Sequence, residues 1–165
     1  MIRSRLAHAL APLAVLFAGA AAAEPYLVAD AATGDVLMQS DATEPWFPAS
    51  TTKLMTVYVA LSAVRDGKVT MDTPLTMSSR AAHAPPSKMG FKPGTLVTLD
   101  NALKMLMVKS PNDVALMIGE SLAGSVDAFA AEMNAAAARL GMKESHFVNP
   151  NGLHDPEHYS SARDM

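Results

Sequence analysis

Residues 50–66 constrain the chain more than any other stretch, because they read as a helix that is apolar almost all round. Leu54, Met55, Val57, Tyr58, Val59, Leu61 and Val64 leave it no wet face, and Gly67 supplies a C-terminal stop. A helix of that kind belongs at the centre of a domain. Its first turn differs in character: Ser50, Thr51, Thr52 and Lys53 are all polar. Polar groups gathered at one end of a core helix place that end at a cleft. Pro45 and Pro48 bar helix from residues 41–49 and deliver the chain stiffly to Ser50.

The neighbouring segments surround this helix with short elements. Tyr26-Leu27-Val28 and Val36-Leu37-Met38 read as two strands flanking a turn over residues 31–35, with Gly34 where a positive φ is needed. Residues 68–77 read as extended, and residues 78–94, with Pro85, Pro86, Gly90, Pro93 and Gly94, as loop. Thr98 caps a predicted helix over residues 99–109. A second helix starts at Ser110-Pro111-Asn112-Asp113 and runs to about Leu122, and a third spans residues 126–140 up to Gly141. The tail from Lys143 is mostly loop, with Asn149-Pro150-Asn151-Gly152 as a strong turn. The twelve methionines lie mainly in helices and read as core filler.

The compartment follows from the N-terminus. Arg3, Arg5 and His8 precede an apolar run over residues 9–20, and Ala21-Ala22-Ala23 offers the small-x-small pattern of a signal-peptide cleavage site. Residues 1–23 are therefore expected to be a signal peptide and Glu24 the mature N-terminus. The apolar run is shorter than the roughly 20 residues a spanning helix needs. Of the 13 basic residues, removal of Arg3 and Arg5 leaves 11 against 16 acidic ones, a formal charge of −5. No basic run exists, which argues against nucleic acid as a partner. With no cysteine, neither a disulfide nor a thiolate metal site can form. The remaining 142 residues, 24–165, suffice for one hydrophobic core and read as an exported, soluble piece.

Two motifs bear on chemistry. In Ser50-Thr51-Thr52-Lys53 the serine and lysine stand at i and i+3, which puts them on one helix face with Cβ atoms about 5–6 Å apart. A free serine hydroxyl needs a base, and a lysine serves when burial lowers its pKa. The helix N-terminus favours both a neutral amine and a developing alkoxide. The bland alternative is Ser50 as an N-cap with Lys53 in solvent. Ser110-Pro111-Asn112 is the second motif. Serine, then proline, then Asp113 three residues on has the form of a capping box, and a cap hydroxyl can also face a cleft.

Together these motifs resemble a family. Pro48 to Thr56 is similar to the S-x-x-K segment of low-molecular-mass penicillin-binding proteins, the serine D-Ala-D-Ala carboxypeptidases, and Lys109 to Ala115 is similar to their S-x-N segment. The hairpin residues 29–37, the approach to S-x-N over residues 94–106, and Phe147 to Leu153 with His158 and residues 160–165 resemble further pieces in the family's order. Pro111 replaces the small residue usual between the serine and asparagine. The third family motif, K-T-G, is absent, and the family places it downstream of Met165, so the sequence reads as an N-terminal portion.

The resemblance implies an α+β fold, a helical cluster on an antiparallel sheet of which only the first strands are present. It implies Ser50 as acyl-ester nucleophile, Lys53 as proton acceptor, Ser110 as proton relay and Asn112 as a holder of the substrate backbone. Of the oxyanion donors, the backbone N–H of Ser50 would come from this chain. The substrate would be a peptidoglycan stem peptide ending in D-Ala-D-Ala, with β-lactams as inhibitors and no metal or organic cofactor. The protein would act in the periplasm or at the outer face of the cytoplasmic membrane, through a C-terminal anchor if one lies downstream. Two alternatives stay open: a β-lactamase of the related serine fold, and an inactive piece that at most binds cell-wall peptide. Half a sheet leaves exposed edges, so residues 24–165 by themselves are expected to fold poorly. A triad built on His154-Asp155 or His146 lacks a G-x-S-x-G elbow, and His146, His154 and His158 match no common zinc spacing.

Overall fold

A computed structural model of the chain describes residues 24–165, and the expected signal peptide lies outside the described residues. Strands β1 (Tyr26–Ala29) and β2 (Val36–Ser40) form an antiparallel hairpin in which Tyr26 faces Ser40 and Val28 faces Met38. The Asp30 carboxylate closes the turn by accepting the N–H groups of Ala32 (2.8 Å) and Thr33 (2.9 Å), while Gly34 takes the required positive φ of 78°. A 3₁₀ turn, Ala49–Thr51, runs into α1 (Thr52–Arg65). Then come β3 (Pro74–Thr76), a short α2 (Ser79–Ala82), β4 (Leu96–Thr98), α3 (Leu99–Lys109), α4 (Asn112–Ala123) and α5 (Val126–Leu140). β3 and β4 pair as a second antiparallel ribbon, with Leu75 opposite Val97.

The fold class is the expected α+β, and α3, α4 and α5 begin and end within two residues of their expected spans. Thr98 and Ser125 accept the N–H groups of Asn101 and Ala128, and Gly141 ends α5 in the left-handed region. Two expectations change. Residues 78–94 contain a helical turn, because the Ser78 hydroxyl caps it by accepting the Ala81 N–H at 2.9 Å. The extended stretch expected over residues 68–77 reduces to β3, preceded by a turn in which Thr70 N–H meets Thr73 Oγ1.

The centre of the molecule is α4, not α1. Eight consecutive α4 residues, Asn112 to Gly119, are buried. α1, α2, α3, α5 and β3 all pack against it, and Leu75, Met77, Phe129, Met133 and Phe147 belong to the same core. Gly119 permits this closeness, since a Cβ there would sit 3.2 Å from the Phe129 ring and 3.3 Å from Pro150. On α1, by contrast, Leu54 and Leu61 are 47% and 44% exposed. The apolar sequence of α1 therefore does not mean burial all round. Its inward face carries Met55, Val59 and Ala60, but also Thr52, Lys53 and Thr56. β1–β2 stands away from this core, with Val28, Val36, Leu37 and Met38 exposed. Among the described residues no single helix is long and apolar enough to cross a membrane.

Candidate active site

Polar residues buried at the head of α1 need partners, and the Asn149–Gly152 turn supplies them. Thr56 Oγ1 donates to the Pro150 carbonyl at 2.7 Å. The Gly152 backbone lies so close to Ala49 that a Cβ at position 152 would fall 1.8 Å from the Ala49 carbonyl oxygen. His158, also buried, joins the same layer through Thr52 Oγ1 at 2.8 Å. Most of the head of α1 is thus closed off by a turn about 100 residues further along the chain.

Lys53 is the centre of this arrangement. It is 3% exposed, and its Nζ lies 3.0 Å from Ser50 Oγ, 3.0 Å from Asn112 Oδ1 and 2.7 Å from the Asn151 carbonyl oxygen. Those three neighbours are uncharged. Burial without a counter-ion disfavours the ammonium and lowers the amine from 10.5 to about 8. Geometry decides what the neutral amine does. The Asn151 carbonyl and Asn112 Oδ1 only accept, so they take its two N–H groups, and the lone pair is left for the Ser50 hydroxyl. Ser50 itself is exposed, in the 3₁₀ turn ahead of α1, with the positive end of that helix behind it. A solvent-facing hydroxyl against a buried amine whose pKa burial lowers is an arrangement able to serve as nucleophile and base.

Asn112 holds the amine through a fixed amide. Its Nδ2 donates to the carbonyls of Pro85 (3.2 Å) and Pro86 (3.0 Å), and its backbone N–H donates to the Ser87 carbonyl at 2.7 Å. Oδ1 consequently turns to Lys53. Asp113, fully buried, secures the same loop: its carboxylate accepts the N–H groups of Met89 (3.0 Å) and Gly90 (2.9 Å).

The capping box expected at Ser110 does not form. Ser110 ends α3 in the left-handed region (φ 55°), and Pro111 starts α4 without a side-chain cap. Asp113 is drawn away by the loop N–H groups instead. Ser110 Oγ is buried and, among the described residues, has no hydrogen-bond partner. A cleft of about 540 Å³ is lined by Arg80, His83, Pro85, Asn149 and Asn151 among others; neither Ser50 nor Lys53 lines it.

The other candidate histidines disperse. His154 meets the edge of Phe47 at 4.5 Å, and the His146 ring bonds the Glu157 carbonyl. The structure brings together Ser50, Lys53 and Asn112 and sets Ser110 beside Asn112 in the chain. Sequence reasoning missed the Asn151 carbonyl, Asp113 and His158 as parts of the site. The turn signal at residues 149–152 was legible, but a backbone acceptor carries no mark in a sequence.

Comparison with known proteins shows the family. D-alanyl-D-alanine carboxypeptidase DacF of Bacillus subtilis is 38% identical over 133 residues, covering 81% of this chain and 34% of that protein. DacA of Escherichia coli K12 is 36% identical over 149 residues, with 87% and 37% covered. In structure, DacD from Francisella tularensis superposes with a TM-score of 0.83 at 32% identity over 98% of this chain and 38% of its own. Penicillin binding protein 5 from Haemophilus influenzae gives 0.81 at 34%, over 87% and 42%. The chain thus spans little more than a third of the length of the relatives it matches. Residues 13–165 match the peptidase S11 family, D-alanyl-D-alanine carboxypeptidase, and the chain belongs to that family.

Proposed function

We propose that the protein containing this chain is a serine-type D-Ala-D-Ala carboxypeptidase that works through an acyl-enzyme on Ser50. The observation that carries this reading is the buried Lys53 amine, 3.0 Å from the exposed Ser50 hydroxyl. Ser50 Oγ attacks the carbonyl carbon of the penultimate D-alanine while its proton passes to Lys53 Nζ. The developing oxyanion is met by the Ser50 backbone N–H. The C–N bond to the terminal D-alanine then breaks, and the leaving amine takes a proton relayed through the Ser110 hydroxyl, which has no other hydrogen-bond partner among the described residues. Water hydrolyses the ester and restores Ser50. Asn112 orients the lysine; to hold the substrate backbone as well, its Nδ2 has to release one proline carbonyl.

The substrate is a peptidoglycan stem peptide, and β-lactams, which present a strained amide in its place, acylate the same serine. Residues 1–23 direct export, which puts the site in the periplasm, where that peptide is. The test is labelling of the complete protein with a fluorescent penicillin, followed by peptide mapping, together with D-alanine release from a peptide ending in D-Ala-D-Ala. Label on Ser50 and release of one D-alanine are expected. Label on another serine overturns the assignment, and rapid penicillin turnover without stable label points to a β-lactamase.

A further inference from the structure

His158 takes no part in the chemistry above, yet it is 2% exposed at the back of the site. Its two nitrogens have different partners. The Val148 N–H donates to Nδ1 at 3.1 Å, so Nδ1 carries the lone pair. The proton of the neutral ring is therefore on Nε2, which donates to Thr52 Oγ1 at 2.8 Å. One side of the imidazole grips the first residue of α1, the neighbour of Lys53. The other grips the strand of chain that enters the Asn149–Gly152 turn, whose Asn151 carbonyl receives the lysine N–H. The buried Phe147 ring stands edge-on to the imidazole, with centroids 5.6 Å apart.

We propose that His158 is a positioning residue for Lys53, bridging Thr52 to Val148 and so fixing where the Asn151 carbonyl meets the amine. The direction of the lysine lone pair depends on that carbonyl, because Asn112 alone takes only one of the two N–H groups. A turn displaced by about 1 Å frees the second N–H, admits water and lets the amine turn from Ser50. Protonation of the ring breaks the bridge, since an Nδ1–H would oppose the Val148 N–H. Burial guards against this by pushing the ring down to about 4, with Asp155 pulling it up and His146 pushing it further down. The groups facing the lysine are Ser50, Asn112 and Asn151, all uncharged, so its titration reports the local geometry. The catalytic consequence rests on the acyl-transfer reading, whereas the positioning itself does not.

The experiment uses the complete protein carrying ¹³Cε-labelled lysine, with Lys53 assigned by its loss in Lys53→Arg. Its titration is followed by NMR and the rate of fluorescent-penicillin labelling is measured in parallel. His158→Asn keeps an acceptor for the Val148 N–H but loses the bond to Thr52, and Thr52→Val removes the same bond from the other end. In both, the Lys53 midpoint is expected to rise by about one unit and labelling at neutral pH to slow about tenfold. A purely structural role would lower the folded fraction without moving the midpoint. Folded variants with the wild-type midpoint overturn the proposal, and Thr52→Val decides it if the His158 variant does not fold. Wild-type protein that takes no label at Ser50 overturns the acyl-transfer reading instead, while the Lys53 titration still judges the role of His158.

Discussion

The Lys53 amine and the Asn151 carbonyl oxygen lie 2.7 Å apart across 98 positions of sequence. This contact ties the head of α1 to the 149–152 turn, and it gives the amine an acceptor that brings no charge. A carboxylate in its place would hold the lysine protonated, whereas a carbonyl orients it and leaves burial free to lower its pKa.

Lys53→Arg tests the need for an amine that can lose its proton. A guanidinium stays charged at any working pH, so it cannot accept the Ser50 proton. Labelling of the complete protein by a fluorescent penicillin is expected to fall by about 10²–10⁴-fold. A residual rate within threefold of wild type would show that Ser50 draws on another base.

The pH dependence follows from the same amine. Lys53 is held at about 8, so below that pH it is protonated and cannot act as base. Acylation should climb about tenfold per unit up to the midpoint and level above it. The sign for stability is set by the unfolded value of 10.5: between about 8 and 10.5 the unfolded chain binds the extra proton, so stability gains from this group as pH rises through that window. His158 acts in the acid range. Its folded value of about 4 lies below the ordinary 6.5, so its contribution is complete above about 6.5 and lost as pH falls towards 4. Thermal melts across pH 4–7, with His158→Asn as the comparison, should show a shallower acid loss in the variant.

Much of this was legible in the residues. The cap at Thr98 announces the start of α3 and the glycine at position 141 the end of α5, because capping is local chemistry. The spacing of Ser50 and Lys53 announces their shared face for the same reason. What escaped is long-range. Whether Leu54 or Thr56 faces inward depends on which surface carries a partner, and the Pro150 carbonyl that accepts from Thr56 is set by the tertiary fold. Ser110-Pro111-Asn112-Asp113 has the pattern of a cap, but the Met89 and Gly90 N–H groups compete successfully for the aspartate. That competition is invisible locally.

Asp113→Ala measures it. The substitution leaves the Met89 and Gly90 N–H groups without their buried acceptor, at a cost of about 2–4 kcal/mol. Chemical denaturation of the complete protein should show that loss. Because the loop also receives the Asn112 amide, slower labelling of Ser50 should accompany it even where the protein remains folded.

Gly152→Ala separates packing from chemistry on the opposite side of the amine. Residue 152 has a φ of 76°, and its Cβ would fall 1.8 Å from the Ala49 carbonyl oxygen. Alanine is strained there whatever the side chains do, and backbone does not yield like a flexible side chain, so at least about 2 kcal/mol of stability should be lost. The turn must also retreat from Ala49, carrying the Asn151 carbonyl with it. A variant as stable as wild type would mean that the turn does not pack against α1.

Ser110→Ala should do the reverse, harming activity and sparing the fold. Ser110 Oγ is buried and, among the described residues, makes no hydrogen bond, so its removal forfeits none and should change stability by no more than about 0.5 kcal/mol. A methyl group cannot relay a proton to the departing D-alanine, and D-alanine release should fall by about 10²–10³-fold. The two measurements have to diverge. A large fall in melting temperature with little change in turnover would make the Ser110 hydroxyl a structural group whose partner lies outside residues 24–165, and the relay would have to be sought on another side chain.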